Sequence, residues 1–284
     1  MKAFSFTKLS GAGNDFILFD RKLNPDLNLS TEIIKKICER RKGIGADGVL
    51  VISDLTGYAF NMKYFNADGS SGSLCANGAR SAIKYGWVSG RVGNEVVNFK
   101  ANNIDYSGLV LDEKNIKFYL NPPKKLKYNF KVKVAGQLVT ASFADTGSPH
   151  LVIKASDILV NSTKPGSFYN NIDDLPVYEI GKELRYSPDF APEGTNVNFT
   201  QIENGELKIR TYERGVENET LACGTGSVAA ALISFVNDKL TPPIRLHVKS
   251  GDILEVDFKV ENQKVRDLSL TGPAEVIFNG ELLI

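Results

Sequence analysis

The chain has 284 residues, long enough for one large domain or two of moderate size, and its 42% hydrophobic and 24% charged content is ordinary for a soluble globular protein. A formal net charge of +1 gives no electrostatic reason to expect nucleic acid or an acidic membrane as partner. No apolar run approaches the ~20 residues that span a bilayer, and the N-terminus lacks the apolar core of a signal peptide, so a cytoplasmic location is the default expectation.

In chain order the residues predict mostly short strands. Ala3–Leu9, Gly48–Ser53, Tyr58–Phe65, Glu95–Lys100 and Ile116–Leu120 are rich in Val, Ile, Phe and Tyr, and several alternate with polar residues. After them come Leu138–Ala144, Leu151–Lys154, Val197–Ile202, Leu207–Tyr212, Ile253–Val260 and Ala274–Phe278. Asn204-Gly205 and Asn279-Gly280 predict tight turns.

Three helices are predicted. The first, Ser30–Arg41, has an apolar face of Ile33, Ile34, Ile37 and Cys38, which makes Cys38 a small core residue. The others are Ala76–Val88 and Gly224–Asn237, and the latter is apolar nearly all round, as a fully buried helix must be. Asn121-Pro-Pro-Lys-Lys-Leu-Lys reads as a surface linker, and Asn161–Pro192 as a long irregular excursion. The domains expected are 1–122, 123–271, and a C-terminal strand, 272–284, returning to the N-terminal half. The architecture is α/β in the α+β sense: two pseudosymmetric domains, each a mostly antiparallel sheet or barrel wrapped around a central helix.

Three widely spaced cysteines make no disulfide framework, and without a Cys-x-x-Cys pair and with only two histidines a metal site lacks obvious ligands. Two of the cysteines stand in similar surroundings. Tyr64, Cys75, Gly78 and Ala82 recur as Tyr212, Cys223, Gly226 and Ala230 at a constant separation of 148 positions. Such a spacing suggests a duplicated unit whose halves face each other across one cleft. Each cysteine stands where strand and loop give way to a helix. There the positive end of the helix dipole favours a thiolate, and the unpartnered first N–H groups suit a carboxylate. Small residues (Ala76, Gly78, Gly224, Gly226) let an anion come close. Two such thiols suit removal of an α-proton from one face of a carbon and its return to the other. The competing reading is that both are buried structural cysteines.

Asn66-Ala-Asp-Gly-Ser with Cys75-x-Asn-Gly-Ala-Arg, and Tyr212-Glu-Arg-Gly with Ala222-Cys-Gly-Thr-Gly, resemble the two signature segments of the diaminopimelate epimerases. Gly11-Ala-Gly-Asn-Asp-Phe, Gly43-Ile-Gly-Ala-Asp-Gly, Gly147-Ser-Pro-His and Thr195-Asn-Val-Asn match in the same order. The resemblance implies a cofactor-independent epimerase interconverting LL- and meso-diaminopimelate for lysine and cell-wall precursor synthesis, acting as a homodimer on this small-molecule amino-acid substrate. It makes Cys75 and Cys223 the base and acid, with His150 and Glu213 beside the thiols. Asn14, Asn66, Asn196 and Arg214 would hold the distal end of the substrate, and backbone groups of Ala76, Asn77, Gly224 and Thr225 the reacting carboxylate. Ser148 stands where many members have a substrate-binding asparagine, Ala76 where glycine is usual, and Ser81 where cysteine is frequent. Two other readings stay open: a racemase for another amino acid, such as proline, and a redox-regulated binding protein without turnover.

Overall fold

The computed structural model describes residues 2–72 and 74–284. The chain divides into two compact units, one built from the residues up to Leu120 together with Thr271–Ile284, the other from Asn121–Leu270.

The first unit contains strands β1 (Ala3–Gly11) and β2 (Asn14–Asp20), helix α1 (Thr31–Cys38), and strands β3 (Gly48–Leu55) and β4 (Tyr58–Asn66). Helix α2 (Ala76–Val88) and strands β5 (Val97–Ala101), β6 (Ile104–Val110) and β7 (Asn115–Tyr119) follow, and the last strand of the chain, β17 (Glu275–Leu283), pairs antiparallel with β1. Helix α2 packs against β1, β2, β3, β4, β6, β7 and β17, and every residue from Ala76 to Gly86 is buried.

The second unit contains β8 (Lys125–Val134), β9 (Gln137–Asp145), β10 (Pro149–Lys154), α3 (Val177–Arg185), β11 (Asn196–Glu203), β12 (Glu206–Glu213) and β13 (Asn218–Thr220). It continues with α4 (Gly224–Asp238), β14 (Ile244–His247), β15 (Ile253–Glu261) and most of β16 (Lys264–Pro273). Helix α4 packs against β9, β10, β11, β12, β14 and β15, with all of Gly224–Ser234 buried. The all-round apolar sequence thus gives the buried central helix that periodicity predicts.

The internal repeat extends to topology. In the first unit the pairings β1–β2, β2–β3, β3–β4, β4–β5 and β5–β6 run antiparallel, parallel, antiparallel, parallel, antiparallel. In the second, β9–β10, β10–β11, β11–β12, β12–β14 and β14–β15 run in the same sequence of directions. Each central helix follows the fourth strand of its series, after the short β13 in the second unit, and each cysteine is the cap that begins it. The architecture is therefore a two-domain α+β fold with mixed sheets and few helices.

Several local expectations need correction. Helix α1, capped by Ser30, whose hydroxyl accepts from the Ile33 N–H, ends at Cys38 rather than Arg41. Its apolar stripe stops there, and Glu39 turns into extended backbone. Cys38 is only 4% exposed within the core of the first unit, and burial pushes its thiol up to about 11. The linker is shorter than read, because β8 begins at Lys125; exposed Lys125, Lys127, Lys131 and Lys133 alternate with inward Leu126, Phe130, Val132 and Val134. The excursion Asn161–Pro192 holds α3, whose Val177, Ile180, Gly181 and Leu184 face the core at helical spacing. Asn204-Gly205 forms the expected hairpin turn, both residues at positive φ. Asn279-Gly280 does not turn. It lies inside β17, where a Cβ on Gly280 would come 2.7 Å from the Phe6 ring, so glycine is needed there for close approach.

Candidate functional site

In the first unit, Cys75 caps α2 from an extended backbone (φ −106°, ψ 107°), and its half-buried sulfur accepts from the Gly78 N–H at 3.3 Å. Asn14, the first residue of β2, brings its Oδ1 to 3.9 Å from Cys75 Sγ and accepts from Asn77 Nδ2 at 3.4 Å. The buried Asn77 in turn accepts from Arg80 at 2.9 Å. The orientation of Asn14 is set from behind, where its Nδ2 donates to Asp47 Oδ2 at 2.6 Å.

Asp47 and Asp15 form a pair crossed by backbone N–H bonds in both directions. Arg40 donates to both carboxylates, and Lys8 lies 2.7 Å from Asp15. Burial alone would raise the pKa of Asp15, but its bonds to Arg40 and Lys8 outweigh burial and hold it below the usual carboxylate range. Burial, then the Asp15 charge, raises Asp47. Asn66, predicted to bind substrate, lies at the end of β4 and donates to Ser70 Oγ at 3.0 Å. Ala76 is buried in the first turn of α2.

In the second unit, Cys223 caps α4 from nearly the same backbone conformation (φ −120°, ψ 109°) and is 7% exposed. Thr225, two residues on, lies with its Oγ1 3.7 Å from Cys223 Sγ. His150, from β10, is fully buried, and its Nε2 meets both Thr225 Oγ1 and Ser148 Oγ at 2.9 Å. Burial, reinforced by the positive charge of Arg214, lowers His150 to about 3, so the ring is neutral at physiological pH. The start of α4 is tied down further. Thr146 Oγ1 donates to the Thr225 carbonyl at 2.8 Å, and Ser227 Oγ donates to the Cys223 carbonyl at 2.9 Å.

Arg214 follows the end of β12. Its backbone N–H donates to Asn196 Oδ1 at 2.9 Å, while Asn196 Nδ2 donates to the Pro149 carbonyl at 2.8 Å. The guanidinium donates to the Glu193 carbonyl at 3.3 Å. Glu213 Oε2 accepts from Thr220 Oγ1 at 3.0 Å.

Each unit therefore collects part of the predicted set: Cys75 with Asn14 and Asn77, and Cys223 with Thr225, His150 and Ser148, beside Asn196 with Arg214. Two contacts were not part of the expected roles. His150 meets the hydroxyls of Thr225 and Ser148, and the Ser148 hydroxyl is engaged by His150. The sequence reading missed Asp47, Thr146 and Asn198 as site residues. Asp47 and Asn198 both lie in the motifs quoted above, and two asparagines two apart in a strand share one face, the only signal for Asn198.

Solved structures share this fold. A PhzF-family phenazine biosynthesis protein from Bacillus anthracis superposes with a TM-score of 0.72 at 13% identity, covering 100% of both chains. A probable proline racemase from Agrobacterium radiobacter K84 gives 0.70 at 11% identity, covering 99% of this chain and 93% of the other. These likenesses define the fold class alone. Sequence is more specific, because residues 6–126 and 142–277 match the family model described as diaminopimelate epimerase. The diaminopimelate epimerase of Chlorobaculum tepidum is 38% identical over 279 residues, covering 97% of this chain and 100% of that protein. That of Aquifex aeolicus is 33% identical over 288 residues, covering 98% and 97%. The chain belongs to the diaminopimelate epimerase family.

Proposed function

We propose that this protein interconverts LL- and meso-diaminopimelate with Cys75 and Cys223 as its two acid–base groups and no cofactor. The observation that carries the reading is the matched pair of cysteine caps, one at the start of each central helix and at equivalent points of a repeated topology. Family membership gives the substrate.

In this mechanism one cysteine, as thiolate, takes the α-proton, and the C–H electron pair is left on Cα. The other, as thiol, delivers its proton to the opposite face, and the two sulfurs end with exchanged protonation. The hard species is the carbanion, whose charge spreads onto the carboxylate oxygens. Backbone N–H groups at the first turns of α2 (Ala76, Asn77) and α4 (Gly224, Thr225) are suited to hold that charge without rearrangement. Arg214, with a planar fork that Asn196 helps to place, is assigned to the distal carboxylate together with Asn14 and Asn66. His150, Ser148 and Glu213 support these groups. A cytoplasmic homodimer belongs to the same proposal.

The test is exchange of the Cα hydrogen in heavy water. Deuterium should enter diaminopimelate with the wild-type protein and fail to enter with Cys75→Ala or Cys223→Ala. Normal turnover in either variant would refute the two-thiol mechanism. Exchange into proline with none into diaminopimelate would replace the substrate assignment.

A further inference from the structure

A hydrogen-bond chain behind Cys223 has its direction set by one atom. The Leu151 carbonyl can only accept, and it lies 2.9 Å from Asn198 Nδ2, so that end of the Asn198 amide must be the NH2 group. Asn198 Oδ1 correspondingly accepts from Thr211 Oγ1 at 3.0 Å. The same NH2 lies 3.2 Å from His150 Nδ1. An amide NH2 cannot accept, so Nδ1 must present its lone pair, and in the neutral ring the hydrogen sits on Nε2. Nε2–H then donates to the hydroxyl pair of Thr225 and Ser148, both at 2.9 Å, and has no lone pair to take a hydrogen from either. The Thr225 hydroxyl hydrogen therefore has Cys223 Sγ, at 3.7 Å, and Ser148 Oγ, at 3.3 Å, as its near acceptors.

The geometry around Asn198 is built for this contact. Asn198 is fully buried, and a Cβ on Gly226, in the first turn of α4, would overlap its Oδ1. Glycine at that position is what lets the amide reach the helix start. We propose that Asn198 is a positioning residue: it holds His150 as the Nε2–H tautomer, so that the Thr225 hydroxyl points its hydrogen at Cys223 and stabilises negative charge on that sulfur. His150 is then a fixed donor rather than a proton carrier. The functional part of this inference rests on the reading of Cys223 as an acid–base group.

The tautomer is read directly by nitrogen NMR of the imidazoles, which is simple here because the chain has only two histidines, His150 and His247. The wild-type spectrum should show His150 with a bare Nδ1 and a protonated Nε2. Asn198→Asp, whose carboxylate demands a hydrogen from Nδ1, should invert the pattern. A protonated Nδ1 in the wild type would overturn the proposal whether or not that variant folds. A second measurement follows Cys223 alkylation by iodoacetamide in a Cys75→Ala background, with labelled peptides identified by mass. Thr225→Val should slow labelling about tenfold, the scale of one hydrogen bond to a charged group. Thr225→Ser should recover the rate. Equal rates in the valine and serine variants would also overturn it. Neither measurement needs turnover. Absence of diaminopimelate exchange alongside the expected NMR and alkylation results would count against the activity and leave the positioning intact.

Discussion

Replacing His150 by glutamine should remove a specific part of the protein's acid sensitivity. Burial, with the Arg214 charge, lowers the ring from an ordinary 6.5 to about 3, so the folded protein declines a proton that the unfolded chain accepts. The unfolded state binds more protons between those values, and stability therefore falls as pH drops from 6.5 toward 3. The loss approaches about 1.4 kcal/mol per pH unit, or roughly 2.5 kcal/mol between pH 7 and pH 4.5. Glutamine keeps an acceptor for Asn198 and a donor for Thr225 but does not titrate. Urea unfolding of both proteins at the two pH values isolates the effect, because the carboxylates titrate in each and cancel in the comparison. The wild type should lose about 2.5 kcal/mol more than His150→Gln over that interval. Equal losses would show that His150 titrates alike in the folded and unfolded chains, and the reasoning from burial would fail.

Arg91 holds Asp20 with two bonds of 2.7 Å, and their side chains are 10% and 4% exposed. Arg91→Met should cost about 3–5 kcal/mol in denaturant unfolding by stranding the carboxylate. Adding Asp20→Asn should recover part of that; a loss below about 1 kcal/mol would place the pair among weak surface bridges. Cys38, its thiol pushed up to about 11 by burial, should resist alkylation at pH 8 in the native protein and label fully in urea. Rapid native labelling would show that α1 opens or that the thiol is not shielded.

The central helices and both cysteine caps were legible because each rests on local chemistry: a small-residue helix start after a strand, and for α4 an apolar surface on all sides. Less visible elements depend on pairing. β2 has no alternation to mark it, because Phe16, Ile17, Leu18 and Phe19 form a continuous apolar run, as suits a strand buried on both faces and paired in parallel with β3. The short β14 reads as nothing in isolation, and its place comes from parallel pairing with β12. Helix α3 carries a helical spacing in Val177, Ile180 and Leu184, but the turn-forming residues on either side of it read as loop. At the site, sequence order identified groups and missed directions. Motif matching placed His150 beside a thiol but did not give the groups its ring meets, the hydroxyls of Thr225 and Ser148. The sequence marks Asn198 only by its motif and its strand face, while the orientation of its amide comes from the Leu151 carbonyl, 47 positions away.

The all-round burial of α2 and α4 also bears on how this scaffold can be altered. A thiol that caps a helix clasped by six or seven strands inherits its position from the core rather than from a loop. Changes that leave a void against those helices, such as trimming Leu50 where it lies against Gly78, are expected to blunt reactivity before they unfold the protein. Under the proposed roles, selection for new substrates has more room at Asn66, the last residue of β4, than at Asn14, whose amide bonds to the first turn of the helix that Cys75 caps.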